Sequence, residues 1–294
     1  MMNSSFIIYH SSLTFMDSII NYFSTIPSSH RTLLLVGGIA SFWIIESAVP
    51  LFRFTYNKWT HAGTNIFFTL TTIVVNFILA FILVKSADWT QENHFGLLNW
   101  LPTMPTWLVA IVGMLLLDLI GAYFVHWTEH KVRWMWRFHL IHHTDTHIDT
   151  TSANRHHPGE SVFRFVFTTL AVLLVGTPMW LVFMYQSASV LLAQFIHANI
   201  SLPKWLDNAL SWVFITPDMH HVHHHYVLPY TDSNYGNIFS IWDRLFGTYM
   251  DLERSKLIYG IDTYMDASEN AHIAPLLKIP FQEYRHPVGS KFDE

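Results

Sequence analysis

The chain has 294 residues, of which 51% are hydrophobic, 16% aromatic and only 13% charged. Soluble domains carry about 25% charged residues, so the deficit points to lipid as part of the solvent. A net charge of −5 leaves no basic face to neutralise phosphates, which excludes a nucleic-acid partner. No cysteine occurs, so disulfides, thiolate nucleophiles, iron–sulfur ligation and cysteine zinc sites are excluded together.

No Lys or Arg precedes Arg31, so the positive region of a signal peptide is missing. Residues 1–30 are expected to form a loose tail or an interfacial helix through Phe15, Ile19, Ile20 and Phe23. Residues 31–294 read as one domain. Apolar stretches run over 32–52, with Glu46 as the one charge, over 66–84, with none, and over 107–125, with Asp118 alone. Each approaches the ~20 residues that carry a helix across a ~30 Å hydrocarbon core. A helix is the open-ended element that satisfies its own backbone there. The block 165–196 has no charge and breaks at Gly176-Thr177-Pro178 into arms of about 12 and about 18 residues, the first short for a crossing. It reads as a helical hairpin that dips into the membrane and returns. The expected fold is therefore all-α integral membrane: three spans and a hairpin, capped by a helical, histidine-rich region of 126–160 and 197–294. Arg53, Lys58, Lys131, Arg133 and Arg137 fall on one face; Arg31 and Lys85, offset by Asp88 and Glu92, fall on the other. The positive-inside rule puts the histidine face in the cytoplasm.

Fourteen of the 20 histidines lie between His126 and His225. HWTEH sets His126 and His130 four residues apart, one turn along one helix face. HLIHH sets His139, His142 and His143 at i, i+3 and i+4, and HHVHH does the same with His220, His223 and His224. Neutral imidazole binds zinc, copper, iron and nickel. So many imidazoles exceed the needs of one metal, and two metals sharing a site is the economical reading. Such a site brings no negative charge, so carboxylates behind the ligands are expected to compensate and to take the second ring N–H. Asp118, Asp145, Asp149 and Asp232 are candidates, with Glu129, Glu160 and Asp218 also within reach in sequence. Asp118 stands eight residues before His126, on a similar helix face.

Asp118, Tyr123 and HWTEH, then HLIHHTDTHIDTTSANRHHPGE, FIHANI, and TPDMHHVHHH with DSNYGNIFSIWDRLFGTY resemble the fatty acid hydroxylase and sterol desaturase superfamily over roughly residues 30–250. The resemblance implies an integral-membrane di-iron enzyme that uses O2 to attack an unactivated C–H bond of a lipid. Carried over position by position, it implies His126, His130, His139, His142, His143, His157, His197, His220, His223 and His224 as ligands. It leaves Asn199 as a hydrogen-bond partner beside His197, and His147, His156, His221 and His225 off the ligand positions. Trp127 and His221 stand where the family commonly has arginine, which puts any substrate or anion contact by those positions in doubt.

Hydroxylation or desaturation takes two electrons from the substrate, and O2 needs four to become water, so two come from outside. The sequence carries no GxGxxG fingerprint, so a ferredoxin, a cytochrome b5 or a reductase is implied as donor. Zinc, which binds imidazole well, is able to replace iron in purified protein. Two rival readings stay open. HWTEH also fits H-x-x-E-H, an inverted zinc peptidase motif with Glu129 as base, and histidines along a membrane protein can line a metal transport path. The sequence does not choose among sterol, fatty acyl, ether-lipid and carotenoid substrates.

Overall fold

The computed structural model describes residues 15–290 and Phe292. The expected tail at residues 1–14 lies outside the described residues; 15–24 are helical, with Phe15 exposed. The fold is all-helical, and among the described residues β pairing is limited to the isolated bridges Pro50–Ile200, Phe214–Phe239 and His225–Tyr259.

Helix α1 spans Ser28–Ala48. It stops short of the expected residue 52 because Pro50 follows, and Val49 has already left helical geometry (φ −130°). Helix α2 runs over Lys58–Glu92, 35 residues against the 19 expected. At 1.5 Å per residue it is roughly 52 Å long, well beyond the ~30 Å of a hydrocarbon core. The Asn57 side chain caps it by accepting from the backbone N–H groups of Trp59 and Thr60. The surplus at that end carries His61, Thr64 and Asn65 into the cap. Hydropathy alone sees the middle of such a helix and misses its polar continuation.

Helix α3 covers Thr106–Lys131 and is interrupted by a wide π-turn at Leu119–Phe124. Helix α4 (Arg133–His143) follows after a one-residue break at Val132. The hairpin is α5 (Pro158–Val175) and α6 (Met179–His197). Its first arm is 18 residues rather than 12, because the helix begins at Pro158 and includes the polar Glu160, Ser161 and Arg164. Gly176 ends α5 in the left-handed region (φ 73°). Gly96 (φ 100°) sits against it so closely that a Cβ on Gly96 would meet the Gly176 nitrogen at 2.4 Å. This contact locks the far end of the bundle.

Helix α2 packs along α5, and α1 along α6. Among the described residues five helices (α1, α3, α5, α6 and the stretch Lys58–Trp100) are long and apolar enough to cross a membrane. On α2 the outward side chains Leu70, Ile73, Val74, Phe77, Ile78 and Phe81 form one uncharged stripe, with Phe77 83% exposed. A contiguous apolar surface of that size is not left to water in a monomer. The protein is a multi-pass membrane protein, with the cap formed by α4, helix α7 (Pro217–His223) and the short turns of 224–290.

Candidate metal centre

The histidines reach one region from four places. Helix α3 presents His126 and His130 on its buried face. Helix α4 presents His139, His142 and His143. His197 is the last residue of α6. Helix α7, capped by the Thr216 hydroxyl accepting from Met219 N–H, carries His220 and His223, and His224 follows at its end.

These rings gather into two groups, all buried. His126, His130, His139, His143 and His223 form the first, and His142, His197, His220 and His224 the second; within each group the ligand atoms lie within 4.8 Å of one another. The groups share a wall, with the His143 and His224 rings stacked at 4.8 Å.

Hydrogen bonds on the outer nitrogens fix what the inner nitrogens offer. His126 Nδ1 donates to the Tyr235 carbonyl at 2.8 Å, His223 Nδ1 to the Ser233 carbonyl at 2.6 Å, and His197 Nδ1 to the Ala193 carbonyl at 2.7 Å. His139 Nδ1 donates to Glu160 Oε1 at 2.8 Å. A neutral ring that donates from Nδ1 has only a lone pair at Nε2. Yet the Nε2 atoms of His126 and His139 face each other at 3.1 Å, and the Nε2 atoms of His130 and His223 are buried with no hydrogen-bond partner. Lone pairs that converge at hydrogen-bond distance repel unless a cation lies between them. The donor set therefore fits two divalent cations bound by imidazole.

Behind the first group lies a buried charged cassette. Glu160 Oε1 also takes Arg164 Nε at 2.9 Å and lies 2.7 Å from His156 Nδ1. Arg164 reaches on to Glu129 Oε2 at 2.7 Å, which is 3.7 Å from His139 Nδ1. The His156 ring stacks on His142 of the second group at 4.7 Å. Two fully buried carboxylates, offset in part by the Arg164 guanidinium they share, thus stand behind a site whose ligands bring no charge.

His157, expected as a ligand from the resemblance, belongs to neither group. Its Nδ1 accepts from Gly159 N–H at 3.0 Å as the N-cap of α5, and its ring packs on Phe138 and Phe281. Asp118 does not touch a ligand ring. It accepts from the backbone N–H groups of Ile238 and Phe239, from Trp242 Nε1 and from the Tyr185 hydroxyl. The π-turn between Asp118 and His126 breaks the regular spacing that would have put the two on similar faces. Asn199 clamps the chain at Phe52, accepting from its N–H at 2.8 Å and donating to its carbonyl at 2.7 Å. Asp232 takes Lys131 and the Tyr235 hydroxyl, with His130 Nδ1 at 3.9 Å. Asp218 pairs with Arg254.

Asp145 and Asp149 stand one layer out, on either side of His61. His61 Nε2 lies 2.9 Å from Asp145 and Nδ1 lies 3.2 Å from Asp149, which also accepts from Tyr56. Burial by itself would raise Asp145, but the His61 and Arg155 charges hold it well below the usual carboxylate range. Arg155 is fully buried and bonds the Ile141 carbonyl, Asn65 and Thr144, which ties the end of α4 to α2. Sequence reasoning missed His61, Arg155, His156 and Arg164. The signal for His61 was there, as the polar stripe His61, Thr64, Asn65 at helical spacing before the second apolar stretch.

Of the positions where arginine is common, Trp127 is exposed on α3, whereas His221 is buried. His221 accepts from the Tyr259 hydroxyl at 2.6 Å and donates to the His197 carbonyl at 3.3 Å. His147 stacks on Tyr56, and His225 Nδ1 accepts from Ile258 N–H.

The cap imidazoles are held neutral, as metal ligands must be. Burial, then the nearness of other imidazoles, pulls His139, His142, His143, His220 and His224 well below their ordinary value. Burial lowers His223 to about 3 and His221 to about 4. In the unfolded chain each takes a proton near ~6.5. Their contribution to stability is thus present above that pH and is lost as pH falls toward the native values. Each such group forfeits about 1.4 kcal/mol per pH unit in that window. The metal-free protein should show a steep fall in melting temperature from pH 6.5 to 5. Thermal melts across that range check this, and a flat profile below 6.5 would show the rings to be accessible to solvent.

Residues 110–248 match the Fatty acid hydroxylase family. The ornithine lipid hydroxylase OlsE of Rhizobium tropici is 25% identical over 177 residues, 60% of this chain and 51% of its own. An alkylglycerol monooxygenase of Danio rerio is 32% identical over 169 residues, 57% of this chain and 35% of its own. A cholesterol 25-hydroxylase-like protein of Danio rerio is 28% identical over 183 residues, 62% of this chain and 65% of its own. The chain thus spans about half the length, or less, of the first two relatives. No solved structure matches. The matched region covers just under half of the chain, from the first turns of α3 to residue 248 beyond α7, and it contains all nine converging histidines, so the site lies in the part of the chain that is similar to the fatty acid hydroxylase family.

Proposed function

We propose that this protein is an O2-dependent oxidoreductase that hydroxylates an unactivated C–H bond of a membrane lipid, or desaturates it, at a pair of iron ions. The observation that carries the reading is the pair of imidazole groups sharing one wall. His126, His130, His139, His143 and His223 would hold one iron, and His142, His197, His220 and His224 the other. Bound there, the irons would supply the activation of O2 that no side chain provides. The chain's own residues orient the ligand rings through the carbonyls of Tyr235, Ser233 and Ala193, and Glu160 and Glu129 set the charge behind His139. Burial of the rings excludes bulk water from the reacting position. For hydroxylation the balance is RH + O2 + 2 electrons + 2 protons giving ROH + H2O. The two electrons come from an external one-electron carrier, a ferredoxin, cytochrome b5 or reductase. The surface around Lys131, Arg133 and Arg137, with Trp136 packed between it and the His130 and His143 rings, is where that carrier would dock. We place this face in the cytoplasm.

Three ornithine-lipid, ether-lipid and sterol oxidisers among the relatives support a lipid substrate and differ in which lipid they take. The zinc peptidase reading needs Glu129 beside a metal-bound water. Its carboxylate instead sits on the outer side of His139, in the hands of Arg164. A transport path needs sites near the bilayer midplane, whereas these groups lie at the ends of α3 and α6.

The test is iron-loaded protein in lipid discs with dithionite and 18O2. One 18O per oxidised lipid is expected of a hydroxylase, and an unsaturated product with the label in water of a desaturase. Zinc-loaded protein should give neither. Peptide cleavage by the zinc form, with no lipid product from the iron form, would overturn the proposal.

A further inference from the structure

The cap carries an apolar surface that its polar composition hides. Trp205 is 72% exposed, Trp212 66% and Leu245 70%, and Val213, Phe214 and Phe246 are open beside them. The Arg244 guanidinium lies 4.5 Å over the Trp212 ring and 4.3 Å over Tyr249. Tryptophan, tyrosine and a stacked arginine on an apolar base are the composition of a membrane interface, where apolar bodies sink and polar tips stay wet.

The backbone agrees. Non-helical chain is tolerated near hydrocarbon only where its N–H and C=O groups are satisfied by protein. Here the two turns pair with each other. Ile215 N–H donates to the Ile238 carbonyl, Ser240 N–H donates to the Val213 carbonyl, and Phe214 bridges Phe239. The Ser211 carbonyl takes both the Ser240 hydroxyl and Arg244. Ile238 and Phe239 give their N–H groups to Asp118.

Between these turns and the spans lies an open groove of about 410 Å³. Every side chain lining it is apolar, among them Ile111 and Met114 of α3, Met184 of α6, and Phe214, Phe239 and Ile241 of the turns. Nothing in it can recognise a headgroup, and its volume lies within the ~300–1,000 Å³ of ligand pockets. It opens beside Ile111 and Trp107, which face lipid on α3. Its floor continues into the loop whose Tyr235 carbonyl holds His126.

We propose that this groove holds one hydrocarbon chain of a lipid from the leaflet on the histidine side, and that the turns 211–215 and 238–245 are sunk into that leaflet. That the chain belongs to the lipid being oxidised rests on the function proposed above; that a chain lies there does not.

The absence of cysteine makes the test clean. Spin labels on W212C, L245C and, as a water control, E253C are compared in phosphatidylcholine discs for collision with oxygen and with a nickel chelate. The first two should favour oxygen and the third the chelate. In the unsubstituted protein, phosphatidylcholine with a diazirine on its acyl chain should label the 110–115, 184 and 213–214 peptides at least about fivefold over the exposed stripe of α2. Ala110→Phe, which fills the groove, should abolish that enrichment and, in iron-loaded protein, raise KM for lipid with metal content unchanged. Chelate-favouring labels at 212 and 245, or labelling no richer than on α2, would overturn the proposal. Normal enrichment with no lipid product from the unsubstituted, reduced enzyme would sink the function and leave the chain-binding groove standing. Unchanged KM in a folded Ala110→Phe that has lost its enrichment would show that the bound chain is not the substrate's.

Discussion

Replacing His142 by alanine is expected to leave about one metal per chain and to abolish turnover, while replacing His157 leaves both metals bound. His142 is one of four imidazoles in its group, and its Nε2 faces that of His197 at 3.1 Å. Losing even an outer partner of a ligand costs about 10–100-fold in metal affinity or activity, so losing a ligand from a set of four costs more. His157 instead caps α5 through Gly159 N–H. Its loss should remove the worth of a helix cap, about 0.5–2 kcal/mol, and lower the melting temperature by a few degrees. Metal analysis of the two purified variants, with the first still inserting in the membrane, separates the roles. Full metal content in His142→Ala, or a lost metal in His157→Ala, would redraw the ligand set.

Eight of the nine converging histidines were legible because each box sits on one helix, where i, i+3 and i+4 share a face whatever the tertiary fold. His197 had no such spacing and came from the resemblance alone. His157 came from the same resemblance, and it lies outside both groups, in keeping with its local chemistry. A residue before Pro158, with Glu160 two places further on, has the signature of a helix N-cap, which turns its side chain to the backbone. The fold class followed from charge-poor stretches of membrane length, but the ends of α2 and α5 did not. Their polar turns are helical through capping by Asn57 and His157, not through hydropathy. The groups that orient the rings were mostly out of reach. Three of them are backbone carbonyls, of Ala193, Ser233 and Tyr235, and any residue type supplies a carbonyl.

Asp118→Ala should be the most damaging change away from the ligands themselves. The carboxylate is fully buried and accepts from two backbone N–H groups, an indole N–H and a hydroxyl, at 3.1–3.5 Å. Alanine leaves at least three of those donors buried without an acceptor, at about 1–3 kcal/mol each. The damage should also travel in one direction. Asp118 anchors one end of the 235–242 loop, and Asp243 anchors the other by accepting from Tyr235 and Gly236 N–H at 2.8 and 3.0 Å. The Tyr235 carbonyl, at the end that Asp243 holds and three residues from the Asp118 contacts, sets the His126 ring. Loosening the loop frees that ring to turn, which weakens the first group by about 10–100-fold by the reasoning for outer partners. The second group takes its orientation from Ala193 on α6 and should keep its affinity. Asp118→Asn, which keeps one acceptor oxygen, should fall between alanine and the unsubstituted protein in both stability and metal content. Titrating metal into the three metal-free proteins would show two affinities drifting apart in the order Asp, Asn, Ala. If both groups weaken together, the loop is a general support of the bundle and not a specific hold on His126.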